Sequence, residues 1–493
     1  MRAGGATPPP SGRLERAVQA ALRRLGRPGH PAAGGVALVP GAAAAFALRV
    51  ASARGAAHTL DLQYYIWRGD VTGLLLAREA LRAADRGVVV RLLLDDVYAL
   101  GRQRMLAALD AHPNIQVRLF NATRWRRFGR AGVLLEIALG GWHLNRRMHN
   151  KAWIADGCLA VLGGRNLGDE YFGLESEGVV LFRDLDLAIA GAAAREASVV
   201  FARYWASPLA RPAAEVAAAA ARPGALAELR ASLDEAAGRH RAAGLLAPLA
   251  RAGLRALSAG LTPVGVREVR VVADPPEKAR RGLRARRLAR TAGGIAADIA
   301  DALRGAREEA LLISPYFVPG AAGLGLLREL RARGVRVAVV TNSLAATDVV
   351  AAHGGYARYR PALLAAGVAL YELRPGVRGE RPSLFGSRGA ALHTKALAVD
   401  RSLAFVGSFN LDPRSAALNT EMGAFVRCAA VAEGVAAEHA RLAAPALSWE
   451  LRLEGGRLAW FDPDPVPGFE PLAGWGRRAL AALIRRLPVE DQL

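Results

Sequence analysis

Two short segments of this chain carry the same reactive side chains in the same order. The first reads MHNKAWIADGCLAVLGGRNLGDEY from Met148 to Tyr171, and the second reads LHTKALAVDRSLAFVGSFNLDPRS from Leu392 to Ser415. His149, Lys151, Asp156, Gly163 and Asn166 in the first match His393, Lys395, Asp400, Gly407 and Asn410 in the second. Glu177 and Glu421 follow a little further on, and every pair lies 244 residues apart. A lone histidine on a strand is ordinarily structural. The pattern His-x-Lys-x4-Asp-x6-Gly, with Asn three residues later and twice in one chain, is not accounted for that way.

The spacing has a chemical meaning. A His and a Lys two apart on a strand point to one face, so both can address one phosphate. The Asp falls where that strand turns. The returning strand ends in Gly163-Gly164 or Gly407-Ser408, small residues that let a phosphate approach the backbone, followed by an Asn amide that can donate to it. If the two copies pack face to face, two imidazoles, two ammonium groups and two amides line one pocket. That set suits covalent phosphoryl-type catalysis, with one His as nucleophile and the other as general acid for the leaving alcohol. Lys and Asn would stabilise charge on the non-bridging oxygens. Two ammonium groups supply the positive charge, and no metal-ligand spacing is present, so neither a metal nor a cofactor is expected.

The elements around these segments alternate. LDLQYYIW (60–67), VVVRLLLDD (88–96) and IQVRLF (115–120) read as strands, with helix-like stretches at 71–86 and running through Leu109. The same order returns in ALLISPYFVP (310–319), a helix over 321–333, VRVAVVTNS (335–343) and VALYELR (368–374). The fold class is therefore α/β with helix-covered sheets, and the chain is internally duplicated. The boundaries read as a basic N-terminal tail over 1–35, a first lobe over 36–210, a helical connector over 211–268, a second lobe over 269–448 and a C-terminal extension over 449–493. Within the tail, Leu14, Val18, Leu22 and Leu25 fall at helical spacing among Arg13, Arg16, Arg23 and Arg24, a short basic amphipathic helix. In the extension, WGRRALAALIRRL (475–487) puts Leu480, Leu483, Ile484 and Leu487 on one face with arginines around it. Such a helix can lie in a bilayer interface, although an ordinary surface helix has the same pattern. HGGYARYR (353–360) offers His353, Tyr356 and Arg358 to an anionic substrate.

Composition narrows the partners. Lys and Arg number 66 against 44 Asp and Glu, a formal charge of +22 that favours nucleic acid, an anionic bilayer or phosphate-bearing substrates. An apolar fraction of 52% is that of a globular chain. Cys158 and Cys428 sit in no metal-ligand or redox spacing and read as free thiols. No segment reads as a secretory signal or a spanning helix, since the uncharged run Pro31–Leu48 is broken by Gly34, Gly35, Pro40 and Gly41.

With HNKAWIAD and GGRN in one half and HTKALAVD and GSFN in the other, the sequence resembles the phospholipase D superfamily, whose members carry this signature twice. From about residue 36 onward it is similar to bacterial cardiolipin synthases, especially the C type without transmembrane helices. LDLQYYIW, RRMHNKAWIADG, GGRNLGDEYF, SPYFVPG, FNLDPRSAALNTEMG and LPVEDQL carry that likeness. The resemblance implies two homologous lobes, each a mixed sheet flanked by helices, with one active site shared at their interface. It implies that His149 attacks the lipid phosphorus to give a phosphatidyl-histidine, and that His393 protonates the leaving alcohol and then activates the acceptor hydroxyl. Asp156 and Asp400 would orient or tune the histidines. Lys151, Lys395, Asn166 and Asn410 would hold the phosphate beside Gly164 and Ser408, with Glu177 and Glu421 in support. The product would be cardiolipin, made from phosphatidylglycerol and either phosphatidylethanolamine or a second phosphatidylglycerol. The enzyme would sit peripherally on an anionic phospholipid bilayer, the cytoplasmic face of the bacterial inner membrane.

Other readings remain open on the sequence. Transfer to water would give phosphatidic acid instead. A nuclease of the same superfamily is kept in view by the charge and by KARRGLRARRLAR (278–290), but no nucleic-acid module is recognisable, and the amphipathic termini favour a bilayer. A silent membrane scaffold is hard to reconcile with two intact motifs. Arg401 stands where the first copy has Gly157, so a different turn is expected there.

Overall fold

Runs such as VVRLLLD and RVAVVTN are apolar on both faces and β-branched in part, which suits strands covered on both sides. They form the centres of two large sheets. The computed structural model describes residues 12–26, 30, 32–99, 102–123, 125, 128–139, 145–174, 181–217, 222–242, 261–280, 294–376, 390–462, 464–466 and 469–487.

In the first half, the strands are β1 (Gly34–Val39), β2 (Thr59–Tyr64), β3 (Val89–Asp95), β4 (Ile115–Phe120), β5 (Ala152–Ala155), β6 (Leu159–Gly163), β7 (Leu181–Arg183), β8 (Asp186–Gly191), β9 (Ala210–Pro212) and β10 (Val264–Val266). All but β7 join one sheet in the order β10-β1-β8-β6-β5-β2-β3-β4-β9. β2, β3 and β4 run parallel, connected by the helices Val71–Asp85 and Gln103–Asp110, whereas β5 returns antiparallel to β2. In the second half, β11 (Val269–Ala273), β12 (Glu309–Ile313), β13 (Arg336–Asn342), β14 (Ala369–Leu373), β16 (Ala396–Val399), β17 (Leu403–Gly407), β18 (Met422–Arg427), β19 (Ser448–Glu454), β20 (Arg457–Asp462) and β21 (Asp464–Val466) form a sheet of order β11-β18-β17-β16-β12-β13-β14-β19-β20-β21. Its wiring repeats the first, with β12, β13 and β14 parallel and β16 antiparallel to β12. The chain is thus α/β, with two homologous lobes, each a mixed sheet flanked by helices.

The lobes share an apolar layer. Inward residues of both sheets, such as Ile154, Leu187, Ala398 and Val406, pack with the helices Ala192–Trp205 and Ala429–Ala443. Two backbone links cross the interface: β7 pairs in parallel with β15 (Ala390–Leu392), and Met148 bridges Thr420. These links hold the segments that precede β5 and β16.

Several expectations change. The helix Arg13–Leu25 exists, but Leu14, Val18 and Leu22 are buried against the first sheet. An apolar stripe has the same spacing whether it covers a sheet or a bilayer, so it is a component of the lobe and not a tail. β10 falls inside the segment read as a helical connector and pairs with β1. β19, β20 and β21 extend the second sheet beyond β14, so the start of the extension belongs to that lobe. The two hairpin turns are alike after all. Asp156 and Gly157 have φ of 50° and 60°, and Asp400 and Arg401 have 49° and 47°. Arg401 adopts the left-handed conformation without glycine's freedom, while its guanidinium pairs with Glu309 at 2.9 Å. Cys158 and Cys428 are both free thiols.

Candidate active site

Topology alone puts the two motifs on matching edges. β5 is antiparallel to β2, so the residues just before β5 lie at the carboxyl edge of the parallel strands. His149 and Lys151 occupy that position, and His393 and Lys395 occupy its equivalent before β16. Open α/β sheets present ligand sites at this edge.

Each imidazole is held by the opposite lobe. The carboxylate oxygens of Glu421 lie 2.9 and 3.0 Å from Nδ1 of His149, and an oxygen of Asp184 lies 2.6 Å from Nδ1 of His393. The backbone repeats the exchange: the His149 N–H donates to the Thr420 carbonyl and the His393 N–H to the Arg183 carbonyl, both at 2.8 Å. Each lysine donates to the carbonyl of its own histidine, Lys151 to His149 at 2.6 Å and Lys395 to His393 at 2.5 Å. Aromatic rings wall the imidazoles. Tyr65 lies 4.9 Å from the His149 ring, and Tyr171 and Phe182 lie 5.2 and 5.0 Å from the His393 ring.

All of these polar groups are buried, and burial governs their protonation. It pushes both histidines well below the usual imidazole range, and both lysines add to the effect on each ring. Glu421, bound by Ser408 of the second motif, holds His149 of the first, and Asp184, packed on Gly164 of the first motif, holds His393 of the second, so the two motifs share one site. Burial also pushes Lys151 well down, Lys395 down to about 8, Glu421 up to about 7 and Asp184 upward. A neutral imidazole donating Nδ1–H to its carboxylate satisfies these directions. The tautomer then leaves the Nε2 lone pair available for chemistry.

The carboxylates are supported differently. Glu421 accepts from the hydroxyls of Ser408 and Ser415. Asp184 packs against Gly164, where a Cβ would stand 2.3 Å from Oδ1, so the shorter acid leaves no room for a side chain there. The Arg165 guanidinium donates to the Asp184 carbonyl at 2.6 Å.

A family model described as "Cardiolipin synthase, PLD-like domain" matches residues 50–205 and 299–443. Cardiolipin synthase C of Escherichia coli (strain K12) is 38% identical over 464 residues, covering 90% of this chain and 93% of that protein. The chain belongs to the cardiolipin synthase family of phospholipase D-like enzymes. It is a phospholipid phosphatidyltransferase. Cardiolipin synthase A of Pseudomonas entomophila is 27% identical, covering 82% of this chain and 67% of its own length. Among solved structures, a phosphatidylserine synthase from Haemophilus influenzae superposes with a TM-score of 0.55 over 87% of this chain and 90% of its own, at 14% identity, a likeness of fold. No helix among the described residues is long and apolar enough to cross a membrane.

Within this phospholipase D-like frame, the expected site residues separate into those that meet and those that do not. His149, Lys151, His393, Lys395, Ser408 and Glu421 converge. Asn166 is buried with its amide engaged, accepting from the Ile66 N–H at 3.1 Å and donating to the Tyr171 hydroxyl at 3.0 Å. Asn410 is buried with Oδ1 unpartnered. Glu177 lies outside the described residues.

Asp156 and Asp400 touch neither imidazole. The Asp156 carboxylate accepts from the N–H groups of Ala57, His58 and Thr59 at 2.8–2.9 Å, and Asp400 accepts from those of Arg307, Glu308 and Glu309. Each staples the motif's hairpin to the start of β2 or β12. Asp156 follows His149 by seven positions that include all of β5, up to roughly 23 Å of extended chain, so the aspartate emerges at the opposite edge of the sheet. Asp156→Ala or Asp400→Ala is therefore expected to lower unfolding free energy by about 2 kcal/mol through lost charge-assisted hydrogen bonds, with turnover of the folded protein within a few-fold. Urea unfolding beside turnover per folded molecule checks this. A thousand-fold loss with unchanged stability would return the aspartates to the chemistry.

The residue that the constant offset missed is Asp184. Strand register would have found it: Gly163 pairs with Asp186 and Gly407 with Gly423, so the residues two before, Asp184 and Glu421, are equivalent. The first copy has extra residues between its Asn and its acid, which breaks the offset. His353, Tyr356 and Arg358 do not face the site. His353 lies 3.2 Å from Glu470 and Arg360 bridges Glu470 and Glu372, while Tyr356 is buried and Arg358 donates to the carbonyls of Arg485 and Leu487. This cluster ties the C-terminal extension to the second lobe.

Proposed function

We propose that the enzyme makes cardiolipin by moving a phosphatidyl group from phosphatidylglycerol or phosphatidylethanolamine to a hydroxyl of phosphatidylglycerol, through a covalent phosphatidyl-histidine. The observation that carries this reading is the reciprocal pairing of His149 with Glu421 and of His393 with Asp184 beside two lysines. Nε2 of neutral His149 attacks phosphorus, a P–N bond forms, and the P–O bond to the headgroup alcohol breaks. His393 gives its Nε2 proton to the departing oxygen. The phosphodiester's own negative charge offsets Lys151 and Lys395 and so restores proton affinity to His393 in the complex. The vacated site admits phosphatidylglycerol; His393 takes the proton of its hydroxyl, that oxygen attacks phosphorus, and the P–N bond breaks to free His149. Lys151, Lys395 and Asn410 would hold the non-bridging oxygens, while Gly164 makes way for the Asp184 carboxylate and Ser408 holds that of Glu421. Asp184 and Glu421 would fix the imidazole tautomers, as the carboxylate does in other histidine-based sites.

The acceptor is the part open to test. Vesicles of phosphatidylglycerol, alone or mixed with phosphatidylethanolamine, incubated with the enzyme and followed by lipid mass analysis, should yield cardiolipin with release of glycerol or ethanolamine, whereas phosphatidylethanolamine alone, with no acceptor hydroxyl, should yield none. Phosphatidic acid as the sole product would replace transfer by hydrolysis. The named relatives favour phospholipid over nucleic acid. The enzyme would work peripherally on the cytoplasmic face of the bacterial inner membrane.

The pH dependence follows from Lys395. Its ammonium, lowered to about 8 by burial, is charged below that pH and neutral above it. Affinity for a dialkyl phosphate, monoanionic across the range, should fall as pH rises through about 8, by up to about ten-fold per unit. Titration calorimetry between pH 6 and 10 checks this, and flat affinity to pH 10 would contradict a phosphate seated on Lys395.

A further inference from the structure

A phosphatidyltransferase must bring its site to phosphates that stay in a bilayer, and the distribution of exposed apolar side chains bears on how. Among the described residues, large exposed apolar side chains are not scattered. Apart from Val89 and Val199, they fall between Tyr98 and Leu139 in the first lobe, or at Val349 and between Phe469 and Leu487 in the second. Tyr98 follows the carboxyl end of β3, Phe128 and the helix Gly129–Ala138 follow that of β4, and Val349 follows that of β13. These are the edges that carry His149 and His393. Tyr98 stands 4.7 Å from Tyr65, which itself packs on the His149 ring, so this exposed ring adjoins the site.

The C-terminal helix Trp475–Ile484 is fastened to the same edge. The Arg477 guanidinium donates to the carbonyls of Leu344 and Thr347, just beyond β13, and Ala473 and Ala481 pack on Leu344, Ala345 and Val350. Ile484 turns inward against Gly354, which corrects its place on the exposed stripe. With Arg477, Ala481 and Ile484 inward, Leu480, Leu483 and Leu487 face outward, and Trp475 is 85% exposed. Leu472 is 65% exposed and holds a φ of 60°, a conformation that normally calls for glycine. Arg478, Arg485 and Arg486 are exposed alongside.

We propose that these two patches are one docking surface for an anionic bilayer, with the apolar side chains in the interface and the arginines on lipid phosphates, so that the mouth between the lobes meets the headgroups. The inference rests on the lipid substrate proposed above. Charge selects this occupant over a second copy of the chain: a symmetric self-contact would set the same arginines against each other on a chain of net charge +22. Apolar side chains ringed by Arg match an interfacial surface.

The test uses the full chain and vesicles of phosphatidylcholine with or without phosphatidylglycerol. Trp475→Glu with Leu483→Glu, and separately Leu134→Glu with Leu139→Glu, should each weaken sedimentation with phosphatidylglycerol vesicles at least ten-fold. Turnover of a monomeric short-chain phosphatidylglycerol should stay within two-fold. In the unsubstituted chain, brominated phosphatidylglycerol should quench tryptophan fluorescence, and Trp475→Phe should remove that quenching, a readout independent of how the glutamate variants fold. Vesicle binding unchanged in either double variant, or no quenching attributable to Trp475, overturns the proposal. So does a dimer that the substitutions turn into monomers while vesicle binding persists. A product analysis showing hydrolysis in place of transfer would revise the chemistry and leave the docking result standing.

Discussion

His149→Ala is expected to leave no measurable lipid transfer, and His393→Ala to lose most of it with a different residual signature. Without His149 no P–N bond can form, and water attacking the phosphodiester directly gains only the site's electrostatic help. A loss of about 10^5-fold or more is the order found when a covalent nucleophile is deleted. Without His393 the nucleophile remains, but the headgroup must leave as an alkoxide, a cost of roughly 10^2 to 10^4-fold for a missing general acid. A substrate with a nitrophenolate leaving group needs no proton and separates the two. His393→Ala should release about one equivalent of nitrophenolate in a burst and then stall, whereas His149→Ala should release none. Near-normal turnover by either variant would end the two-histidine mechanism, and a burst from His149→Ala alone would exchange the roles.

The second large effect concerns two carboxylates that never touch substrate. Glu421→Gln and Asp184→Asn keep size and shape, but an amide can offer its N–H to Nδ1 as readily as its oxygen. His149 then takes the other tautomer, with the proton on Nε2 and the lone pair turned away from phosphorus, and His393 takes the tautomer whose Nε2 cannot accept the proton of the incoming hydroxyl. Where a buried carboxylate fixes a catalytic imidazole, this change costs on the order of 10^3 to 10^4 in kcat. The loss should appear in kcat with KM little altered, because the lysines still hold the phosphate. An equal rise in KM with kcat preserved would mean that the acids shape the phosphate seat and not the tautomer. Glu421→Gln should also flatten any ionisation near 7, where burial places that carboxyl.

The sequence displayed what is local. His149 and Lys151, or His393 and Lys395, sit two apart on one segment, so their shared face follows from strand periodicity alone. The duplication was visible because one offset served both copies through the Asn. Beyond the Asn the first copy lengthens, and the offset pointed to Glu177 where the fold uses Asp184. Only pairing of β6 with β8 and of β17 with β18 restores the equivalence. Spacing along a chain does not say which end of a strand a residue occupies, so it could not tell that Asp156 and Asp400 bind the N–H groups at the start of β2 and β12 and not the imidazoles. The helix Arg13–Leu25 was misread as a free basic element because a buried stripe and a lipid-facing stripe have one period. At the C-terminus, Ile484 faces protein and Leu483 faces outward, a distinction made by tertiary packing.

The crossing of Glu421 to His149 and of Asp184 to His393 has a consequence for ancestry. A half-length chain of this design cannot complete the carboxylate–imidazole pair of its own motif; it must borrow a carboxylate from a twin. Joining the twins into one polypeptide replaces a concentration-dependent encounter by a tethered one. It also frees the halves from identity, so that one could settle on a short acid over glycine and the other on a long acid beneath serine. The present asymmetry at Gly164 and Ser408 is the kind of divergence that a symmetric pair of identical chains could never have held.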